Sequence, residues 1–220
     1  MLKSVHPSVI PGVVGPLQVL IDLPAPSLHT CGIAVIAHPH PQMGGTMHNK
    51  VVHTLAKILS KHGYIAVRFN YRGVEQSAGT YDHGQGEVED YLAVLNWAAD
   101  FFQQSQLWAA GFSFGSYIAA SAIMRLPATL SLQGTWLIAP PITRMPFETL
   151  PTLPKPTYVV QGTEDEVVDP QETYTWCAAR ANQMQLLKLE NAGHFFHQRL
   201  TDLQQLLSPT LTSWPDNLIP

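Results

Sequence analysis

Several things are scarce in this chain, and each scarcity removes a class of function. There are two cysteines, Cys31 and Cys177, in 220 residues. Two thiols without metal-ligand spacing build neither a disulfide framework nor a thiolate metal centre. Charged residues make up 13% and Lys plus Arg total 12 against 16 Asp plus Glu, with no basic run. That balance argues against nucleic acid or an anionic membrane surface as the main partner. No window approaches 18 uninterrupted apolar residues, the length needed to span a bilayer. Prolines at 7, 11 and 16 break up the N-terminal apolar character, so no signal peptide is expected and the cytoplasm is the expected location.

What is plentiful is turn chemistry, with 18 Pro and 15 Gly, and apolar residues at 45%. The chain is long enough for one well-packed core, and a single domain over residues 1–220 is expected, with its core at about 17–207 and a loosely ordered tail from 208. Short β-branched runs alternate with longer amphipathic stretches, which predicts an α/β fold: a central, mostly parallel sheet with helices on both faces. Residues 17–22 read as a half-buried edge strand. Residues 32–37, 65–70, 107–111, 135–139, 156–161 and 185–189 read as further strands. Helices are expected over about 46–62 with Thr46 as N-cap, then 87–101, 115–125 ended by Pro127, 170–181 and 195–207.

The segment Gly111-Phe112-Ser113-Phe114-Gly115 lies between an apolar strand and a helix of small residues. A G-x-S-x-G pentapeptide in that context is a sharp strand-to-helix turn that exposes a serine hydroxyl above backbone N–H groups. The bland alternative is a serine that only caps a helix. A hydroxyl needs a base, and the base needs an orienting acid. In the chain order Ser, Asp, His, the acid is assigned to Asp165, in the loop after the 156–161 strand, with Glu164, Glu166 and Asp169 as competitors. The base is assigned to His194, after the last strand, with His197 as competitor. All three loops follow strands of a parallel sheet, so they converge on one edge.

An acyl transfer also needs two oxyanion donors. The Phe114 N–H is assigned as one. The other comes from the loop His38-Pro39-His40-Pro41-Gln42-Met43-Gly44-Gly45, where the prolines have no N–H; His40 is preferred, then Met43, then Gln42. Read blandly, that loop is a rigid turn that touches no ligand. Four histidines fall between 38 and 53, but no nearby carboxylate or cysteine completes a ligand set. No metal and no cofactor are expected, and His38 is read as a residue that holds its loop.

These loops, together with Thr46-Met47-His48-Asn49-Lys50 and Arg68-Phe69-Asn70-Tyr71-Arg72-Gly73, resemble the small bacterial α/β-hydrolases related to dienelactone hydrolase, over about residues 17–205. The resemblance implies an α/β-hydrolase fold without a large lid, and Ser113, Asp165 and His194 as its catalytic residues. Two positions depart from the pattern. Glu75 stands where Arg-Gly-x-Gly-x-Ser would have its second glycine, which puts the local backbone in question. Serine, not cysteine, is the nucleophile, which argues against dienelactone hydrolysis itself. The expected activity is hydrolysis of small or short-chain carboxylic esters, with a small-molecule acyl substrate as partner. A peptidase or amidase on the same residues and a non-catalytic binding protein are the alternatives. No exposed apolar stripe marks a subunit interface.

Overall fold

The run Gly32–Ala37 carries no polar side chain, and in the computed structural model, which describes residues 4–211, every residue of it is buried. Burial on both faces is what a central parallel strand requires. It is β3 of an eight-stranded sheet comprising β1 (Ser4–Gly12), β2 (Gly15–Asp22), β3 (Gly32–Ala37), β4 (Tyr64–Phe69), β5 (Gln106–Phe112), β6 (Ser131–Ile138), β7 (Thr157–Gly162) and β8 (Gln185–Leu189). The strand order is β1-β2-β4-β3-β5-β6-β7-β8. β1 with β2 and β2 with β4 pair antiparallel, and every other pair is parallel.

Among the described residues, five helices cover the sheet: α1 (Lys50–Lys61), α2 (Gln85–Phe102), α3 (Phe114–Ile123), α4 (Pro170–Ala178) and α5 (Leu200–Leu207). Alternation along β3 divides the core between two faces. Ile33, Val35 and Ala37 pack with Tyr91 and Val94 of α2, Ile118 of α3 and Trp176 of α4. Ala34 and Ile36 pack on the other side with Val51 and Leu55 of α1 and Leu203 of α5. The α/β architecture with helices on both faces is as the sequence pattern predicts.

This arrangement decides where a site can form. From β3 the chain crosses one face through α1 to β4, then returns across the other face through α2 to β5, on the opposite side of β3. At such a reversal the two crossover connections diverge, leaving a crevice at the carboxyl ends of β3 and β5. The loop after β3 begins at His38, and β5 runs into Ser113.

The structure corrects several expected boundaries. Residues 17–22 belong to β2, which lies inside the sheet because β1 pairs outside it. Proline is tolerated on an outer strand, where no neighbour needs its N–H, and the β1 register shifts between Val5 and Ser8 around Pro7. Helix α1 starts at Lys50, not Thr46. Its N-cap is Asn49, whose Oδ1 accepts from the Val51 and Val52 N–H groups at 2.9 and 3.4 Å. Helix α5 starts at Leu200 rather than 195, because Phe196 and Gln198 have φ of 51° and 60°, which no helix accommodates. Of the expected loose tail, Ser208–Leu211 form a 3-10 turn and the rest lies outside the described residues.

Candidate active site

β5 ends at Phe112 and α3 begins at Phe114, so Ser113 makes the turn alone. Its φ of 54° and ψ of −123° are values that side-chain-bearing residues rarely adopt. The flanking glycines make the turn possible. A Cβ on Gly111 would lie 2.0 Å from the Gly115 carbonyl oxygen. One on Gly115 would lie 2.5 Å from the Ala37 carbonyl oxygen and 2.6 Å from that of His38. The same two glycines therefore bring α3 down onto the end of β3 and its loop.

Ser113, Asp165 and His194 come together. His194 Nε2 is 3.1 Å from Ser113 Oγ, and His194 Nδ1 is 2.9 Å from Asp165 Oδ2. An ionised carboxylate can only accept, so the proton is on Nδ1 and Nε2 is free to accept from the serine hydroxyl. Asp165 and His194 are buried, while Ser113 is partly exposed. Burial works to raise the Asp165 carboxyl. The His194 hydrogen bond, the Val168 N–H, the His194 charge and the Val167 N–H together outweigh it, and the carboxyl is held below the usual range. The two N–H groups reach Oδ1 at 2.9 Å from Val167 and 2.8 Å from Val168.

The competing acids do other things. Glu166 Oε2 accepts the backbone N–H of His194 at 3.0 Å, and Asp169 caps α4 by accepting from the Gln171 N–H at 2.9 Å. Glu164 is exposed. His197 is exposed, its ring 5.8 Å from that of Phe195. His194 itself is flanked by the rings of Phe112 at 5.1 Å and Phe195 at 5.0 Å.

The loop after β3 is a 3-10 turn over Pro41–Met43. The Met43 N–H donates to the His40 carbonyl at 3.1 Å, and the Gln42 N–H to His40 Nδ1 at 3.3 Å. Among the described residues no acceptor pairs with the N–H of His40, nor with that of Phe114 at the first position of α3. The His40 and Phe114 rings are 5.0 Å apart, so this loop lies over the serine turn.

His38 holds that loop from beneath. Its Nδ1 donates to the Pro39 carbonyl at 2.6 Å, and its Nε2 accepts the Tyr71 N–H at 3.3 Å. The Tyr71 hydroxyl donates to the His38 carbonyl at 3.1 Å. Burial pushes the imidazole down to about 3, against the bond to Pro39, which favours the proton; His40 adds a smaller downward push. The unfolded chain protonates this histidine near pH 6.5 and the folded chain does not until about pH 3. Stability is therefore lost as pH falls through that window. In urea titrations, the drop in stability from pH 7 to pH 4.5 should be smaller in His38→Gln than in the wild type, by on the order of 2 kcal/mol. Equal drops in the two proteins would show that His38 is not held neutral.

Residues 70–84 wall the other side. Arg72 anchors them to α2, its Nε 3.0 Å and Nη2 2.8 Å from the two oxygens of buried Asp90. Glu87 accepts the N–H groups of Asp82 and Gly84 at 2.8 and 2.7 Å, which presents Tyr81, whose hydroxyl is 3.1 Å from His40 Nε2. Glu75 keeps the left-handed backbone, φ 48°, that glycine would adopt more easily. Its carboxylate accepts from Asn70 Nδ2 at 2.8 Å, which holds the turn in place.

A recess of about 350 Å³ beside Asp165 is lined by Arg144, Glu166, Asp169 and Glu172, and takes in neither Ser113 nor His194. Among the described residues, no three His, Cys, Asp or Glu side chains converge as a metal set, and no helix is long and apolar enough to cross a membrane. Gln161, whose Nε2 is 2.9 Å from Asp165 Oδ2, and Glu166, on the His194 N–H, also contact the pair, and neither contact is expected from the sequence. A signal for Gln161 existed: it is the one amide in the otherwise apolar interior of the run Thr157–Gly162.

Comparison with known proteins agrees with the geometry. Residues 32–208 match a family model described as an alpha/beta hydrolase domain. The chain is 39% identical to an alpha-beta serine hydrolase homologue from Coxiella burnetii, with a TM-score of 0.89 over 96% of this chain and 100% of that one. It is 38% identical to a Xanthomonas campestris protein described as an a/b serine hydrolase without lid, with a TM-score of 0.86 over 97% of each chain. An uncharacterized protein of Rickettsia prowazekii is 33% identical over 194 residues, 84% of this chain and 80% of that one. None of these matches singles out the dienelactone hydrolase group.

Proposed function

Because this chain belongs to the alpha/beta hydrolase family, we propose that it is a cytoplasmic serine hydrolase of small or short-chain carboxylic esters, with Ser113 as nucleophile. The observation that carries the reading is the 3.1 Å approach of His194 Nε2 to a serine hydroxyl on a strained strand-to-helix turn. Ser113 Oγ attacks the acyl carbonyl as Nε2 takes its proton, and Asp165 stabilises the imidazolium that forms. His194 returns that proton to the departing alkoxide, leaving the acyl group on Oγ. Water then attacks the acyl-enzyme with His194 as base, releasing the acid and restoring the serine.

For the tetrahedral oxyanion, the N–H groups of Phe114 and His40 are the supported donors, since those of Met43 and Gln42 are already engaged. The positive end of α3 adds to the same stabilisation. Selection for small acyl groups follows from the connection between β6 and β7. Residues 139–156 hold only turns and a short 3-10 segment, Phe147–Thr149, so no inserted domain covers the site to receive a long chain.

The test is labelling by a fluorophosphonate probe with competition by p-nitrophenyl esters of increasing acyl length and by aminoacyl amides. We expect modification at Ser113 alone and a kcat/KM that falls with chain length. Equal turnover of long and short esters would remove the chain-length assignment, and faster amide cleavage would make the protein an amidase. Absence of labelling in folded protein would leave a binding protein on a hydrolase fold.

A further inference from the structure

Every residue of β7 is buried, yet one of its side chains is a primary amide. Gln161 has no exposed surface, and both ends of the amide are engaged. Nε2 donates to Asp165 Oδ2 at 2.9 Å, and Oε1 accepts from Thr173 Oγ1, on α4, at 3.1 Å. Its neighbours settle which way it faces. Oδ2 of an ionised Asp165 can only accept, so the NH2 must point to it, and the carbonyl oxygen is left for the threonine hydroxyl. An apolar side chain would fill this space without the desolvation an amide incurs, so the fold retains the amide against a cost.

Asp165 Oδ2 is also the atom that receives His194 Nδ1. Resting on the assignment of Ser113 and His194 above, we propose that Gln161 is a positioning residue for the reaction. Braced by Thr173, it holds Asp165 Oδ2 in line with His194 and shares that oxygen's lone pairs with the imidazole. Gln161 thereby sets both the orientation of the base and the pH at which it releases its proton. The main-chain donors of Val167 and Val168 hold only the other oxygen, Oδ1.

Removing the amide leaves Oδ2 a stronger acceptor toward imidazolium and less constrained in direction. Both changes act on His194: it keeps its proton to higher pH, and its Nε2 is less often aligned with Ser113. The other charged groups nearby are Glu166, on the His194 N–H, and Arg144, Asp169 and Glu172, lining the recess beside Asp165. None of them changes between the variants below, so a difference among variants reports on Gln161.

The experiment uses the full chain in five forms: wild type, Gln161→Met, Gln161→Asn, Thr173→Val and Thr173→Ser. Two readouts are taken, kcat and KM on p-nitrophenyl acetate and the NMR titration of the His194 ring. Gln161→Met should lower kcat by about 10- to 100-fold, the effect of one hydrogen bond to a charged group, with KM within about twofold. The imidazole titration should move to higher pH. Thr173→Val should shift both readouts the same way by less, and Thr173→Ser should restore them. Gln161→Asn, too short to reach Oδ2, should behave like the methionine variant. Wild-type kcat and an unmoved titration in Gln161→Met would overturn the proposal. If that variant does not fold, identical behaviour of Thr173→Val and Thr173→Ser would do so. An inactive wild type would defeat the assigned activity instead, and the ring titration would still report whether Gln161 acts on His194.

Discussion

Ser113→Ala should lower kcat on p-nitrophenyl acetate by about a millionfold, with a thermal midpoint within about 2 °C of wild type. The two halves of this expectation rest on different atoms. The Ser113 N–H donates to the Ile138 carbonyl at 2.8 Å and its carbonyl accepts from the Ser116 N–H at 2.8 Å. Neither bond involves the hydroxyl, so the turn keeps its backbone ties. The hydroxyl's partner is His194 Nε2, which then faces the open site and can be hydrated. Chemistry has no substitute, because direct attack by water must proceed without a covalent intermediate. What survives is the stabilisation offered by the N–H donors and by substrate binding. Turnover within about tenfold of wild type would mean that Ser113 is not the nucleophile.

Asp165→Asn should cost about 10⁴ in kcat while changing KM little, because it forces the wrong tautomer on His194. The local bonding leaves the new amide no choice. Two main-chain N–H groups point at the Oδ1 position, so the asparagine oxygen must lie there. Its NH2 then occupies the Oδ2 position and faces the His194 Nδ1, which has to accept. The ring proton moves to Nε2, and a protonated Nε2 cannot take the Ser113 proton. The Gln161 NH2 also points at this position, so the variant has two amide donors face to face and should lose stability as well. A pH–rate profile checks the tautomer argument: activity should recover with rising pH as hydroxide replaces the missing base. A loss of less than about tenfold at neutral pH would argue that Asp165 does not set the tautomer.

The parts of this site legible in the sequence are those that local chemistry dictates. Gly111 and Gly115 around a serine, between an apolar strand and a small-residue helix, describe a turn that few other structures require. The convergence of Asp165 and His194 on Ser113 is legible because each follows a run of strand-forming residues, and a parallel sheet gathers such loops at one edge. Choosing Asp165 over Glu166 and Asp169 was only a matter of loop position in the sequence. In the structure Asp165 bonds His194 Nδ1, while Glu166 accepts the His194 N–H and Asp169 caps the start of α4.

The features that were not legible depend on partners distant in sequence. β1 is hidden by its prolines, which are tolerated because, among the described residues, no further strand pairs beyond it. The late start of α5 follows from positive φ at Phe196 and Gln198, residues with no local preference for that conformation. Phe196 is nevertheless fully buried, and its packing with the core that holds Leu203 and Leu207 overrides the local cost. Glu75 is the same lesson in reverse. The missing glycine puts the local backbone in question; Glu75 itself takes a left-handed φ of 48°, and its side chain bonds Asn70.

The strand order also governs where this architecture can lengthen over evolutionary time. His194 follows β8, which is separated from β5 by β6 and β7. At roughly 4.8 Å per strand, the base must reach back some 14 Å over the sheet to find its serine. The segment that makes this reach contains the left-handed Asn191, and it is tied down by Glu166 at the His194 N–H and by buried Phe196 just beyond the base. Its length is set by the width of the sheet, so added or deleted residues there would misplace the base. Residues 139–156 join two adjacent strands and carry none of the reacting groups. New specificity acquired by insertion would enter between β6 and β7, while the return path from β8 stays constant in length.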